Sequence, residues 1–224
     1  MGHKVHPKIY RIPNIYTWDS RWFGKKEQLS LFLKQEVGIR SFLEKKLKEA
    51  GMDSICFERT EKEMVITILA AKPGVIIGRS GQGLEDLRKE IEKKYLGLKL
   101  KVKINVLPVK QPALSAKVVA LNAVAEIEKR MPFRRVMKQV LEKVMAAGAK
   151  GVKINMAGRL NGVEIARREN LSAGKMSLIT LRSDVDYAFE EAHTIYGKIG
   201  VKVWIYYGES FGRRDKFEKR EEKK

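Results

Sequence analysis

The chain has a single cysteine, Cys56, in 224 residues. One thiol can form neither an internal disulfide nor a cysteine-based zinc site, and the scarcity fits a reducing compartment. There are three histidines, His3, His6 and His193. Without cysteine they form no recognisable metal set, so neither metal nor cofactor is expected. No apolar run is long enough to span a bilayer. Met1 to Lys8 lacks the apolar stretch of a secretory signal, so a cytoplasmic, soluble protein is expected. A G-x-x-x-x-G-K-S/T phosphate loop is missing, as is any nucleophile–base pairing, and no enzyme is expected. Asp184 and Asp186 read as a cap before a following helix.

Acids are also in short supply. There are 27 Asp and Glu against 46 Lys and Arg, leaving a net charge of +19. Such an excess works against compactness by self-repulsion. A polyanion removes that cost, and nucleic acid is the polyanion that rewards it, because Lys and Arg displace condensed counterions from phosphates. The competing reading is a very soluble surface with no partner. The 44% hydrophobic content is ample for packed cores.

Residues 1–26 read as an extension. Lys4, Lys8, Arg11, Arg21, Lys25 and Lys26 stand against one acid, Asp19, while Pro7 and Pro13 interrupt regular structure. Tyr10, Tyr16, Trp18, Trp22 and Phe23 are interleaved with the charge. Two readings stand. Basic residues among aromatics suit RNA, whose bases stack on rings; alternatively, the aromatics strap the segment onto the protein's own core.

Residues 27–110 carry the first domain. Leu29, Phe32, Leu33, Ile39, Phe42, Leu43 and Leu47 recur at helical spacing, with a bend at Gly38 and a stop at Gly51. Two strands follow, 55–60 and 64–71, with Cys56 as a small core residue. Next come a short apolar helix at 73–77, a glycine turn, a helix with Leu84, Leu87 and Ile91 inward, and a strand over 99–108. Residues 111–209 form a second domain. One helix opens at Pro112 and runs to about Arg130. Another follows Pro132 and carries the stripe Phe133, Val136, Met137, Val140, Leu141, Val144 and Met145. Strands are expected at 151–158, 163–168, 178–182 and 201–207, with a further helix at 187–196. Residues 210–224 read as a disordered charged tail. The fold class is therefore α+β with two domains, the second being a four-stranded sheet with two helices.

The segment Val75-Ile76-Ile77-Gly78-Arg79-Ser80-Gly81-Gln82-Gly83-Leu84-Glu85-Asp86-Leu87 carries the chemistry. Two glycines let backbone approach phosphate with no Cβ in the way. The helix after them offers free N–H groups and a positive dipole end. With its apolar frame and the order helix, strand, strand, helix, helix, strand, this segment resembles a KH domain of the prokaryotic type II form. The resemblance makes Gly78, Arg79, Ser80 and Gly81 an RNA-backbone clamp.

Further segments resemble one family in order along the chain. They are Met1-Gly2-His3-Lys4-Val5-His6-Pro7 with Trp18 and Trp22-Phe23; Phe133-Arg134-Arg135-Val136-Met137-Lys138; Gly148 to Ile154; Gly158-Arg159 through Ala166-Arg167; and Gly200 to Ile205. They are similar to the bacterial-type third protein of the small ribosomal subunit. That resemblance implies a structural protein of the subunit head that holds 16S ribosomal RNA and lines the messenger RNA entry channel, beside the tenth and fourteenth small-subunit proteins. It implies RNA contacts at Lys4, Lys8, Arg11, Arg134, Arg135, Lys138, Arg159, Arg167 and Arg168. Two departures stand out. The glycine turn holds Arg79 and Ser80 where the family often has two lysines, and Gln139 follows Lys138 where another basic residue is common.

Helix geometry bears on Arg134, Arg135 and Lys138 independently. At about 100° per residue from Phe133 they fall near 100°, 200° and 140°, opposite an apolar stripe centred near 20°. Cations in a first helical turn oppose the helix dipole, so stability alone does not account for them. The competing reading is a solvated face with Glu142 paired back to Lys138. A free-standing KH regulator or assembly factor is the alternative function, with an RNA-processing enzyme behind it.

The charge excess makes a direct prediction. The logarithm of RNA affinity should fall steeply with the logarithm of salt concentration, by about 0.7–0.9 per neutralised phosphate. A flat salt titration would remove RNA as the reason for the charge.

Overall fold

The computed structural model describes residues 4–12, 14–97 and 100–213. They divide into two compact units. One covers residues 18–110; the other joins the described residues of 4–17 to residues 111–213. The extension therefore divides at residue 17, each part packing with a different unit. Ser210 to Arg213 are described, with the Ser210 amide donating to the Arg182 carbonyl at 2.8 Å; the rest of the charged tail lies outside the described residues.

The unit of residues 18–110 begins with a two-residue strand, β1 (Ser20–Arg21), and a long helix, α2 (Lys26–Lys46); the shorter α1 (Pro7–Arg11) lies in the other unit. Then come β2 (Met52–Arg59), β3 (Glu63–Ala70), α3 (Pro73–Ile77), α4 (Gln82–Ile91) and β4 (Lys101–Pro108). The sheet order is β1-β2-β3-β4. β2 pairs antiparallel with β3, and β3 parallel with β4. Alternation puts Ile55, Phe57, Met64, Ile66, Ile68, Val102 and Ile104 on one face, where they meet Ile39, Leu43, Ile76, Leu87 and Ile91 from the helices. Each such side chain, fully buried, contributes about 1.5–3 kcal/mol before entropy is counted. This is the mixed α+β, type II KH order. Cys56 is buried within β2.

One local expectation needs correction, the apolar face of α2, a helix that is continuous through Gly38. The glycine is needed for packing, because a Cβ would come within 2.8 Å of the Tyr95 ring. The apolar periodicity of α2 is not all core. Leu29, Leu33 and Val37 are half-exposed, and only the turns around Ile39 and Leu43 are buried. Trp22 and Ser20 donate to the Glu36 carboxylate, and Arg40 lies 3.2 Å from it, so residues 20–22 fold back onto α2.

In the other unit α5 (Ala116–Glu128) and α6 (Phe133–Ala146) precede β5 (Gly151–Gly158), β6 (Arg167–Gly174), β7 (Ser183–Thr194) and β8 (Gly197–Glu209). The sheet is antiparallel throughout, in the order β6-β5-β8-β7. Both helices cover the face made by Val152, Ile154, Met156, Ala188, Ala192, Val201, Val203 and Ile205. The first helix starts later than Pro112. Pro112–Leu114 is a 3-10 turn, and Ser115 caps α5 by accepting from the Val118 amide.

Three expectations in this unit fail. Residues 187–196 are not a helix; most of them lie in β7. Ala and Glu favour helix locally, but β7 pairs with β8 over nearly its whole length, and that ladder outweighs a weak propensity. The apolar alternation at 163–165 lies in a loop, and strand β6 begins only at Arg167. Residues 178–182 form bends and turns rather than a strand. With no helix after them, Asp184 and Asp186 take other partners. Asp186 accepts from the Ala116 amide at 2.9 Å and so caps α5 from across the fold. Asp184 accepts from the Tyr16 hydroxyl at 2.7 Å.

The opposite face of this sheet holds a smaller cluster of Val185, Trp204 and Tyr206, with Tyr187, Met176 and Leu178 against it. α1 packs there. His6 caps α1 by accepting from the Ile9 amide at 3.3 Å, and its ring meets Tyr187 edge-on at 4.7 Å. Partial burial, and then the charge of Lys8, hold the His6 imidazole below its ordinary value. The folded chain thus binds this proton less readily than the unfolded chain. The docking of His6 contributes fully above the unfolded value of 6.5 and is lost as pH falls through the folded one. The melting temperature should therefore drop between about pH 7.5 and pH 5.5, and drop less in His6→Asn, which keeps a capping acceptor but cannot titrate. An identical drop in both proteins would exclude His6 as the cause.

Candidate nucleic-acid interface

The glycine turn joins α3 to α4. Gly78 takes φ +71°, Ser80 +52° and Gly81 +81°. Left-handed backbone is nearly free for glycine but costs an L-residue about 1–2 kcal/mol, so strain is concentrated at Ser80, the apex. A Cβ on Gly78 would come within 3.0 Å of the Gly83 amide nitrogen. One on Gly83 would come within 3.0 Å of the Ile76 carbonyl oxygen. Gly78 and Gly83 thus let α3 and α4 touch, while Gly81 opens onto empty space with nothing within 4 Å of its Cβ direction. No side chain caps α4; the Gln82 amide donates back to the Arg79 carbonyl, and the turn lies at the positive end of the helix dipole. Arg79 and Ser80 are exposed beside them. Gly83 is a supporting residue not singled out from the sequence; its signal was the third glycine in G-x-x-G-x-G.

The other expected RNA contacts lie in the second unit. Arg134, Arg135 and Lys138 are all exposed on α6, and Phe133, Val136, Met137, Val140 and Val144 are buried behind them. Arg134 lies 3.8 Å from Glu169 on β6, a long contact for a side chain 77% exposed. Arg135 and Lys138 form no ion pair among the described residues, so the pairing of Lys138 with Glu142 that belongs to the competing reading of a solvated face does not form. Arg159 clasps its own loop, donating to the Val163 carbonyl at 3.0 Å with its guanidinium over the Tyr196 ring. Arg167 and Arg168 are exposed on β6 and alternate in direction, Arg167 toward the helix-covered side and Arg168 toward the opposite side. Lys4 is exposed and Lys8 half-buried.

Arg11 corrects the sequence reading. It is 0% exposed. Its guanidinium donates to the carbonyls of Pro7 at 2.9 Å, Leu178 at 2.7 Å and Thr180 at 3.0 Å. Burial pulls its pKa down. A side chain enclosed in this way ties α1 to the 177–180 loop and has no charge to offer to RNA. The two readings of the extension's aromatics also separate. Tyr16 is buried as a strap, while Trp18 and Phe23 are 68% and 94% exposed. Among the described residues, no helix is long and apolar enough to cross a membrane, and no His, Cys, Asp and Glu cluster could hold a metal.

The sheet with its two helices and open glycine turn defines an RNA-binding protein of the KH class. Residues 38–114 match the KH domain model, and residues 124–205 match the model described as Ribosomal protein S3, C-terminal domain. The small ribosomal subunit protein uS3 of Desulforudis audaxviator is 48% identical over 214 residues, covering 96% of this chain and 97% of that protein. The uS3 of Desulforamulus reducens is 48% identical over 209 residues, covering 93% of each chain. The uS3 of Paraburkholderia phymatum is 41% identical over 215 residues, covering 96% of this chain and 80% of that protein. This chain belongs to the uS3 family of small ribosomal subunit proteins. It is a structural, non-enzymatic constituent of the ribosome.

The burial of Arg11 makes a specific prediction. Arg11→Ala removes the guanidinium from the Leu178 carbonyl and leaves Thr180 only its bond from the Ser183 amide, and should destabilise the unit by about 2–4 kcal/mol in chemical denaturation. The RNA affinity of the folded variant should equal that of the parent, measured where both are fully folded; a large drop there would restore Arg11 as an RNA contact.

Proposed function

We propose that the chain anchors 16S ribosomal RNA in the head of the small subunit and presents a cationic helix face to messenger RNA at the entry channel of a cytoplasmic ribosome. In this reading residues 27–110 are the RNA-anchoring domain and residues 111–209 the domain that meets messenger, beside the tenth and fourteenth small-subunit proteins. The observation that carries it is the glycine turn. Three successive features, φ +71° at Gly78, φ +52° at Ser80 and φ +81° at Gly81, leave backbone and an uncapped helix end open at one spot, with Arg79 beside it. A phosphate is the group that such a spot suits. The face of Arg134, Arg135 and Lys138 supplies three cations against Glu142 one turn on and Glu169 across from Arg134, and Arg159, Arg167 and Arg168 add charge on the same unit. Lys4 and Lys8 add to it from the extension.

At the turn, Gly81→Asp puts a negative charge and a side chain into open space. Asp tolerates left-handed backbone better than most residues, so folding should survive. RNA affinity should fall by about tenfold or more, a loss of one charge-assisted contact. Unchanged affinity with an unchanged circular dichroism spectrum would sink the clamp.

At α6, replacing Arg134, Arg135 and Lys138 together by Ala should spare the fold, since their neighbours on the buried side remain and Ala is the best helix former. Ribosomes carrying this variant should slow on messenger with a stable hairpin and run at the parental rate on unstructured messenger. Equal slowing on both templates would point to an rRNA-anchoring role, and no slowing on either to a solvated face.

A further inference from the structure

The β-sheet of the second unit has an outer face that α5 and α6 do not cover. One end is closed by α1 and by the cluster of Trp204, Tyr206, Val185 and Tyr187. The other end is open. Register places its side chains in rows. Asn170, Asn155, Lys202 and Phe189 lie side by side across four strands, with Arg168 in the row beyond them and Ser172 and Lys153 in the row before. Neighbouring strands are about 4.8 Å apart, and successive rows about 7 Å. Seven side chains therefore share a patch on the scale of two or three nucleotides.

Phe189 is an unusual residue to leave there. It is 45% exposed, and its ring lies over Gly200, where a Cβ would come within 3.2 Å of it. Lys202 Nζ lies 5.6 Å from the ring centre, and Lys153 Nζ lies 5.8 Å from that of Trp204. Lys153, Arg168 and Lys202 form no ion pair among the described residues. Glu191, on the same face in the row beyond Phe189, is engaged by Lys198 at 2.7 Å. Asn155 donates to Asn170, which leaves the exposed Asn170 amide nitrogen as a donor.

We propose that this open end of the sheet is a separate RNA surface, one that takes a short single-stranded stretch by stacking a base on Phe189 and drawing its phosphates to Lys153, Arg168 and Lys202. An unpaired base offers a flat face to an exposed ring, and a groove of cations tracks its backbone. Duplex RNA has no free base to stack. A protein partner would find little apolar area beyond one ring, since Lys202 flanks it on β8 and Asn155, Asn170 and Ser172 lie on the strands beyond, whereas the centres of protein interfaces are apolar. The proposal rests on RNA being the ligand of this chain, but on neither the glycine turn nor the α6 face.

The test uses the full chain carrying Gly81→Asp with Arg134→Ala, Arg135→Ala and Lys138→Ala, so that the other two surfaces are silenced. A short oligouridylate containing 4-thiouridine is photocrosslinked, and crosslinked peptides are mapped by mass spectrometry. The crosslink should fall within residues 183–198, the tryptic peptide that bears Phe189. In the same background Phe189→Leu, which keeps apolar bulk over Gly200, should weaken oligouridylate binding by about tenfold, and Phe189→Tyr should restore it. Gly81→Asp read alone tests the glycine turn separately. The proposal is overturned by the absence of a crosslink in that peptide, or by equal affinity for Phe189→Leu and its parent. Crosslinks from Lys153 or Lys202 to a neighbouring protein in the intact subunit, with none to RNA, overturn it too and assign the face to protein.

Discussion

A net charge of +19 sets the terms on which this chain folds. Every element must bury enough apolar surface to be stable while keeping its cations apart and in water. Both units do so with the same device, a sheet with its main helices on one face. In each, alternation sends Ile, Val and Met toward the helices. Lysines such as Lys101 and Lys103 on β4, or Lys153 and Lys202 in the other sheet, go to the opposite side. The positive charge thus gathers on surfaces that packing does not use. Carboxylates are spent on local pairs. Contacts with Lys103 hold the Glu63 carboxyl below its ordinary value, and contacts with Lys46 and Lys94 do the same for Glu90. Exposed pairs of this kind add little stability, and on α2, α4, β3 and β4 they thin the local repulsion.

Arg11 is the exception, and its burial follows from what surrounds it. The 177–180 loop turns the carbonyl oxygens of Ser177, Leu178 and Thr180 toward it, and that of Thr180 also accepts from the Ser183 amide at 3.2 Å. A guanidinium carries five N–H donors in a planar fork, which suits such a cluster. Beside it Tyr16 donates to Asp184 and to the Val185 carbonyl at 2.9 Å. Residues at the start of the chain thereby satisfy polar groups some 170 positions later, and in doing so they close one end of the outer sheet face.

The glycine turn and the α6 face solve the problem of charge display in different ways. The turn shows open glycine backbone at Gly81, fixed in place because α3 and α4 touch through Gly78 and Gly83. The α6 face shows long, flexible cations on a rigid helix. The first arrangement suits a permanent backbone contact, the second a strand that must keep moving.

The sequence by itself determined the class, the family and most of the first unit. Periodicity, the G-x-x-G frame and the charge excess are local or additive properties, and they survive without coordinates. It also determined that Arg134, Arg135 and Lys138 share an exposed face, because a helix converts spacing into direction. Failures clustered where partners distant in sequence decide the outcome. Residues 187–194 have helix-favouring composition and become strand because β8 pairs with them. Asp186 caps a helix seventy residues earlier in the chain. Leu29 and Leu33 keep helical spacing yet meet no core. Arg11 looks like a surface cation and lies at 0% exposure. In each case the free energy comes from contacts that only the folded chain brings together, so neither propensity nor spacing could register them.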